Sequence, residues 1–281
     1  MTLKSFRQTL IEKFQQNSFP TAALDVDLLL SHFYQCERTD LFSHYLNKIS
    51  EDQRAQITKL AERRLKGEPI AYILGFKDFY KSRFIVNSSV LVPRPETELL
   101  VENAVEYLKK LERPSRIADW GSGSGCIGLS VLGEVANIHL EAFDISAEAL
   151  AVTKENADYL QLSSRVTLIH CDISRYDFRA GYFDLIAANP PYLDADDTEI
   201  DRKSLNFEPS QALYSKDKGF WHLSSRSEIA AKALKPGGLL LMEIGAGQGA
   251  EIKKHLGDLN LVDVEILRDY AGHERIARAV K

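Results

Sequence analysis

Cysteine is scarce in this chain, and the three that occur, Cys36, Cys126 and Cys171, stand far apart with no C-x-x-C pair. That spacing excludes a disulfide framework or a zinc ribbon and leaves three reduced, mostly buried thiols. Histidine offers no metal site either, because none of the seven pairs at H-x-x-x-H spacing. Long apolar runs are missing. No stretch approaches the roughly 18 residues of a spanning helix, and the opening MTLKSFRQTLIEKF lacks the apolar centre of a signal peptide. The expectation is a soluble, cytoplasmic protein without membrane contact. Basic blocks are absent as well. Net charge is −5, with 10 Lys/Arg against 9 Asp/Glu in residues 1–75 and 25 against 31 in 76–281, so neither part is built to grip a phosphate backbone.

What is present falls into three parts. Residues 1–69 read as a small helical domain: SFRQTLIEKF, TAALDVDLLLSHFY and SEDQRAQITKLAERRLKG carry apolar residues at i, i+3, i+4 spacing, the last between a Ser50 cap and Gly67. Residues 70–92 alternate aromatic and β-branched residues around KDFYKS and NSS, which predicts a β-hairpin linker. Residues 93–281 open with the helix PRPETELLVENAVEYLKKL and continue as strand–helix alternation. RIADW, IHLEAFD, VTLIH, FDLIAAN, GLLLMEIG, LVDVEIL and RIARAV are the strands, predicting an α/β fold with a mostly parallel, doubly wound sheet. RDYAGHE is too short for a helical crossover, so the last two strands form an antiparallel edge hairpin.

Asp119-Trp120-Gly121-Ser122-Gly123-Ser124-Gly125 ends the first of these strands and opens a helix. Glycines there let the backbone turn tightly and approach a ligand. Residues 123–128 match G-x-G-x-x-G, so NAD has to be weighed, as does a strand–helix turn with no ligand. Three acids distinguish these readings. Asp119 can receive an ammonium group, Asp144 ends the second strand where ribose hydroxyls bind, and Asp172 follows the third where an adenine amino group can bind. No Arg or Lys in the loop meets a pyrophosphate. An amine, a ribose and an adenine without phosphate describe S-adenosyl-L-methionine, with S-adenosyl-L-homocysteine as product.

The fourth strand, FDLIAAN, breaks at Asn189-Pro190-Pro191-Tyr192, at the carboxyl end where ligands of such sheets bind. An Asx-type turn ended by prolines is the bland alternative. A planar NH2 group is a poor nucleophile because its lone pair is delocalised. The Asn189 side-chain oxygen and the Pro190 carbonyl can hold its two hydrogens and aim the nitrogen at a sulfonium methyl, with Pro191 stiffening the turn and Tyr192 stacking on the planar group. NPPY serves enzymes that methylate adenine, guanine or glutamine amides, so it does not name the substrate.

Across nearly its whole length the chain resembles the PrmC/HemK protein-(glutamine-N5) methyltransferases, which modify the GGQ glutamine of class-1 peptide chain release factors. GEPIAYILGFKDFY (67–80), VLVPRPETELLVE (90–102), DWGSGSGCIGLS (119–130), NPPY (189–192), NFEPSQAL (206–213), LKPGGLLLMEIGAGQG (234–249) and DYAGHERIA (269–277) carry the resemblance. It implies a class I, Rossmann-like methyltransferase fold behind a helical substrate-recognition domain. It also implies cofactor contacts from Gly121 to Gly125, with Asp144 at the ribose and Asn189 beside the methyl. Residues 189–192 hold the glutamine amide, PRPETE lines the site, and Glu208 and Pro209 shape the following loop. The implied partner is the release factor's GGQ loop, met by a monomer without stable nucleic-acid binding; an NPPY enzyme acting on adenine or guanine is the alternative, and a non-catalytic binding protein a third. Three departures stand out. Ile173 occupies a usually aromatic position, YSKDKGF (214–220) replaces a glycine-rich stretch although Asp217 and Gly219 remain, and Trp120 replaces a leucine.

Overall fold

The computed structural model describes residues 1–194, 205–217 and 219–281. They form two compact units, Met1–Gly75 and Phe76–Lys281. In the first, α1 (Leu3–Gln16), α2 (Ala22–Tyr34), α4 (Glu51–Leu65) and the short α3 (Leu41–His44) and α5 (Ile70–Leu74) enclose one apolar core. The periodic apolar residues supply that core: Leu3, Phe14, Val26, Leu29, Leu30 and Ile57 are fully buried. Helix α4 opens with a capping box, the Ser50 hydroxyl accepting from the Gln53 N–H and the Gln53 side chain accepting from the Ser50 N–H.

The segment 70–92 does not form a single linker. Ile70–Leu74 is helical and closes at Gly75, while the hairpin of β1 (Phe76–Phe79) and β2 (Ser82–Ile85) belongs to the second unit. Phe79 and Phe84 join the core of that unit. Asn156 fastens the hairpin from behind: its Oδ1 accepts from the Ile85 N–H at 2.7 Å, and its Nδ2 donates to the carbonyls of Ile85 and Ser124, both at 2.9 Å. One buried amide thus ties hairpin and glycine loop together.

The second unit is a sheet of seven strands, β3 (Ser115–Trp120), β4 (Ile138–Asp144), β5 (Val166–His170), β6 (Phe183–Ala188), β9 (Leu234–Glu243), β10 (Val262–Arg268) and β11 (Glu274–Val280). Their order is β10-β11-β9-β6-β3-β4-β5, parallel from β9 to β5, with β11 antiparallel to both β9 and β10. The class I methyltransferase sheet and its antiparallel edge are therefore present. Helices α6 (Glu98–Leu111), α7 (Cys126–Glu134), α8 (Ala147–Tyr159), α9 (Trp221–Ala233) and α10 (Gly249–Asp258) complete the layers. A two-residue pair, β7 (Leu193–Asp194) with β8 (Tyr214–Ser215), lies outside the main sheet. Every residue of β6 is buried, as a continuous apolar run in a central parallel strand requires. Because β6 neighbours both β3 and β9, its carboxyl end lies between the glycine loop and the end of β9. Trp120 and Asp119 leave β3 on opposite faces. Trp120 is fully buried, its ring centroid 4.9 Å from that of Phe178, so this large side chain points away from the loop.

Candidate active site

The glycine loop turns from β3 into α7, and Gly125 at its end has a φ of 78°, in the left-handed region. A Cβ there would lie 2.9 Å from side-chain atoms of both Leu129 and Thr153, so only glycine fits. In front of the loop is a cavity of about 620 Å³, whose wall includes Gly121, Ser122, Gly123, Ser124, Asp144, Asp172, Ile173, Asn189 and Pro191. Asp144 is held ready there: its Oδ2 accepts from the Gly123 N–H and its Oδ1 from the Ser146 N–H, both at 2.9 Å. Asp172 accepts from the Ser174 hydroxyl at 2.7 Å and the Ser174 N–H at 2.9 Å, and the hydroxyl contact holds its carboxyl below the ordinary range. Ile173 is 7% exposed and offers an aliphatic surface to the cavity.

Asp119, Gly125, Pro190 and Tyr192 do not line this cavity among the described residues. Asp119, expected from the sequence to receive an ammonium group, lies beneath the loop rather than on this wall. It is 1% exposed, on the α7 face of β3, with Oδ2 accepting from the Gly128 N–H at 2.9 Å and Oδ1 without a partner among the described residues. Burial pushes its carboxyl up to about 7. The acid supports the loop from below and pins the first turn of α7. At the start of that helix, burial pushes the Cys126 thiol up to about 12 and favours its protonated form.

Sequence reasoning missed Arg226. It reaches the cavity from α9, beside Gly121, and its enclosed Nη1 has no hydrogen-bond partner among the described residues. Loss of hydration lowers its guanidinium to about 10, with Asp144 and Asp172 opposing the shift, so it stays charged at neutral pH. The one available signal was an arginine among Leu223, Ser227 and Ala230, the small and apolar residues of a buried helix face.

At the end of β6, half-buried Asn189 donates from Nδ2 to Thr97 Oγ1 at 3.3 Å. Thr97 in turn donates to Glu243 Oε2 at 2.6 Å, and the Tyr192 hydroxyl donates to Glu243 Oε1 at 3.0 Å. Strand register explains the meeting, because Ala188 pairs with Met242 and each is followed by a member of the cluster. Thr97 comes from PRPETE, 2% exposed, and Glu243 from the end of β9, fully buried. Burial pushes the Glu243 carboxyl up to about 7 and raises the Tyr192 phenol. Tyr192 lines a second, smaller cavity of about 100 Å³ with Leu91, Arg94, Glu96 and Leu213, and Asn189 borders both cavities. Buried Glu208 accepts from the Val92 N–H at 3.0 Å and pairs with Arg94, joining NFEPS to the segment before PRPETE. Gly219, with φ of 88°, packs so closely that a Cβ would fall 2.1 Å from the Tyr192 carbonyl oxygen.

A family model described as the PrmC N-terminal domain matches residues 6–75, and one described as the methyltransferase small domain matches residues 95–219. A release factor glutamine methyltransferase of Nitratidesulfovibrio vulgaris is 35% identical over 277 residues, covering 98% of this chain and 93% of its own. The chain belongs to the release factor glutamine methyltransferase family. A second member, from Haemophilus influenzae, is 36% identical over 281 residues, covering 96% of this chain and 95% of its own. Among solved structures, the hMettl16 catalytic domain in complex with the MAT2A 3'UTR hairpin 6 is 12% identical, covers 82% of each chain and has a TM-score of 0.54, a likeness of fold.

Membership makes the chain an S-adenosyl-L-methionine-dependent methyltransferase. The site fits that cofactor. The loop is bare of side chains at Gly121 and Gly123, the Asp144 carboxylate stands at the end of β4 where hydroxyls can donate to it, and the buried Ser124 Oγ and Arg226 Nη1 on the wall have polar capacity to spare. Among the described residues, no helix is long and apolar enough to cross a membrane, and no cluster of His, Cys, Asp and Glu could hold a metal.

Proposed function

We propose that the chain methylates the side-chain amide nitrogen (N5) of the GGQ glutamine in class-1 peptide chain release factors. The observation that carries the chemistry is the place of Asn189, on the border of the large cavity and the small one. Relatives named for glutamine methylation carry the choice of substrate. Asp144 and Asp172 would hold the ribose and adenine of the cofactor, Ile173 would pack against the adenine, and the backbone and side chains from Gly121 to Gly125 would border its amino-acid end. The bound cofactor supplies an electrophilic methyl on a sulfonium sulfur.

The protein's part is to hold the nucleophile. With Nδ2 engaged by Thr97, Asn189 turns Oδ1 away from it, free to accept one N–H of a substrate amide. The Pro190 carbonyl accepts the other. Two acceptors on one NH2 group fix its direction and draw its lone pair out of conjugation, so positioning and preorganised dipoles do the work without an obligatory base. Tyr192 and Arg94 line the smaller cavity, where the glutamine side chain would enter. Residues 1–69 serve in this reading as the substrate-recognition domain, and the enzyme acts as a monomer in the cytoplasm, where its substrate works. Its net charge of −5 argues against stable nucleic-acid binding. The test incubates the full chain with labelled S-adenosyl-L-methionine and purified release factor, DNA or RNA. Label is expected on the release factor and absent when its GGQ glutamine is replaced; label on nucleic acid alone overturns the reading.

A further inference from the structure

We propose that Thr97, Glu243 and Tyr192 form a positioning unit that sets which way the Asn189 amide faces, and that the unit holds the productive orientation only while Glu243 is ionised. The proposal rests on the reading of Asn189 as acceptor for the substrate amide, and it adds what makes Asn189 an acceptor at all.

An asparagine side chain is nearly symmetric in shape, so packing alone does not choose between presenting C=O and presenting NH2. Thr97 makes the choice, because its hydroxyl has one proton. An ionised Glu243 can only accept, and it takes that proton at Oε2 while Oε1 takes the Tyr192 proton. Thr97 then faces Asn189 with a lone pair, which only the NH2 can satisfy. The amide oxygen is thereby turned toward the substrate.

A protonated Glu243 breaks this chain of choices. If its proton lies on Oε2 it donates to Thr97, whose own proton is redirected to Asn189. The amide must turn over to accept it and then meets the substrate NH2 with an NH2, donor against donor. If the proton lies on Oε1, it opposes the Tyr192 proton instead, and the hydroxyl loses its acceptor. The second arrangement loses a hydrogen bond beside a fully buried carboxyl, where an unmade bond is costly, whereas the first keeps all three by turning Asn189 over; the proton therefore settles on Oε2 and the amide is reversed.

The groups around Glu243 place this change within reach of assay. Burial is the largest influence and Glu96 adds repulsion, while Thr97, Tyr192 and Arg275 favour the charged form, the net effect being a carboxyl at about 7. The Cys126 thiol also faces it and remains neutral. Arg275 stands on β11, where Ile276 pairs with Glu243, and is itself 3.2 Å from Asp269. The charge of Arg275 is therefore shared, and Glu243 is left to titrate near neutrality.

The experiment compares wild type, Thr97→Val, Thr97→Ser, Glu243→Gln and Asn189→Ala, each full-length. It reads kcat and KM for release factor between pH 5.5 and 9, together with S-adenosyl-L-methionine affinity. Thr97→Val keeps the shape and deletes the hydroxyl, so kcat should fall by about 100-fold, the cost of a misplaced reacting group. KM and cofactor affinity should stay within about threefold, and Thr97→Ser should restore kcat, since these terms separate transition-state positioning from binding. Wild-type kcat should decline below about pH 7 with single-proton slope, and Glu243→Gln should lack that limb. A Thr97→Val enzyme with near-normal kcat, or a Glu243→Gln enzyme with the wild-type acid limb, overturns the proposal. If Glu243→Gln fails to fold, the Val/Ser pair at Thr97 decides alone. Near-normal turnover by Asn189→Ala overturns the underlying reading, which keeps the two failures apart.

Discussion

Replacing Asp119 by Asn removes one negative charge beneath the glycine loop and leaves its shape unchanged. Burial lifts this carboxyl from 3.8 to about 7, which opposes the charged folded form by roughly 4 kcal/mol at 1.36 kcal/mol per unit. The sign is fixed by proton count. Between these two values the folded chain keeps a proton that the unfolded chain has lost, so stability falls as pH rises and levels off above about 7. Asparagine does not titrate. Its Oδ1 can still accept from the Gly128 N–H that now meets Asp119 at 2.9 Å. The variant should match wild type near pH 4, and its advantage should grow by about 3 kcal/mol between pH 5 and pH 8.5. At the few degrees per kcal/mol usual for a unit of this size, that is roughly 6–12 °C of Tm. Paired calorimetric scans at the two pH values measure it, and Glu243, common to both proteins, cancels in the difference. S-adenosyl-L-methionine affinity should change by less than about threefold, because Asp119 does not border the cavity. An advantage independent of pH, or an Asn variant less stable at pH 8.5, refutes the burial argument. A tenfold loss of cofactor affinity restores the ammonium role that the sequence pattern suggested.

Two further outcomes follow from close packing. Asn156→Ala strips partners from the Ile85 N–H and the Ile85 and Ser124 carbonyls, all part of one buried contact; unfolding stability should drop by about 3 kcal/mol, with faster hydrogen exchange at Ile85. Gly219→Ala places a Cβ 2.1 Å from the Tyr192 carbonyl oxygen at a φ of 88°, so the NPPY turn has to move. Turnover should fall by at least about tenfold while cofactor affinity, measured by calorimetry, is retained.

Much of the fold was legible because the signals were local. FDLIAA reads as a central strand from its unbroken apolar run, and strand–helix alternation implies a parallel sheet. The stretch IAYIL was ambiguous, since a short apolar run suits a strand or a helix equally. Pro69 before it and Gly75 after it are helix boundary signals that favour the helix observed. Asp119 shows a different limit. Alternation says that it and Trp120 face opposite ways, but not which face holds the ligand. Glu243 was invisible for a third reason. It meets Thr97 across 146 residues, and nothing in LLLMEIG marks the acid as fully buried. Arg226 was hidden in the same way, because α9 follows the long segment after NPPY and its approach to Gly121 is purely tertiary.

The orientation of Asn189 also bears on how many times the enzyme can act on one nitrogen. In the proposed reading a primary amide brings two hydrogens, one for Asn189 Oδ1 and one for the Pro190 carbonyl. After transfer it has one hydrogen and one carbon. A second round would begin with an acceptor facing a methyl group, and a site built on N–H donors discriminates strongly against a ligand that lacks one. In that reading the amide that Thr97 holds in place would limit the reaction to a single methyl.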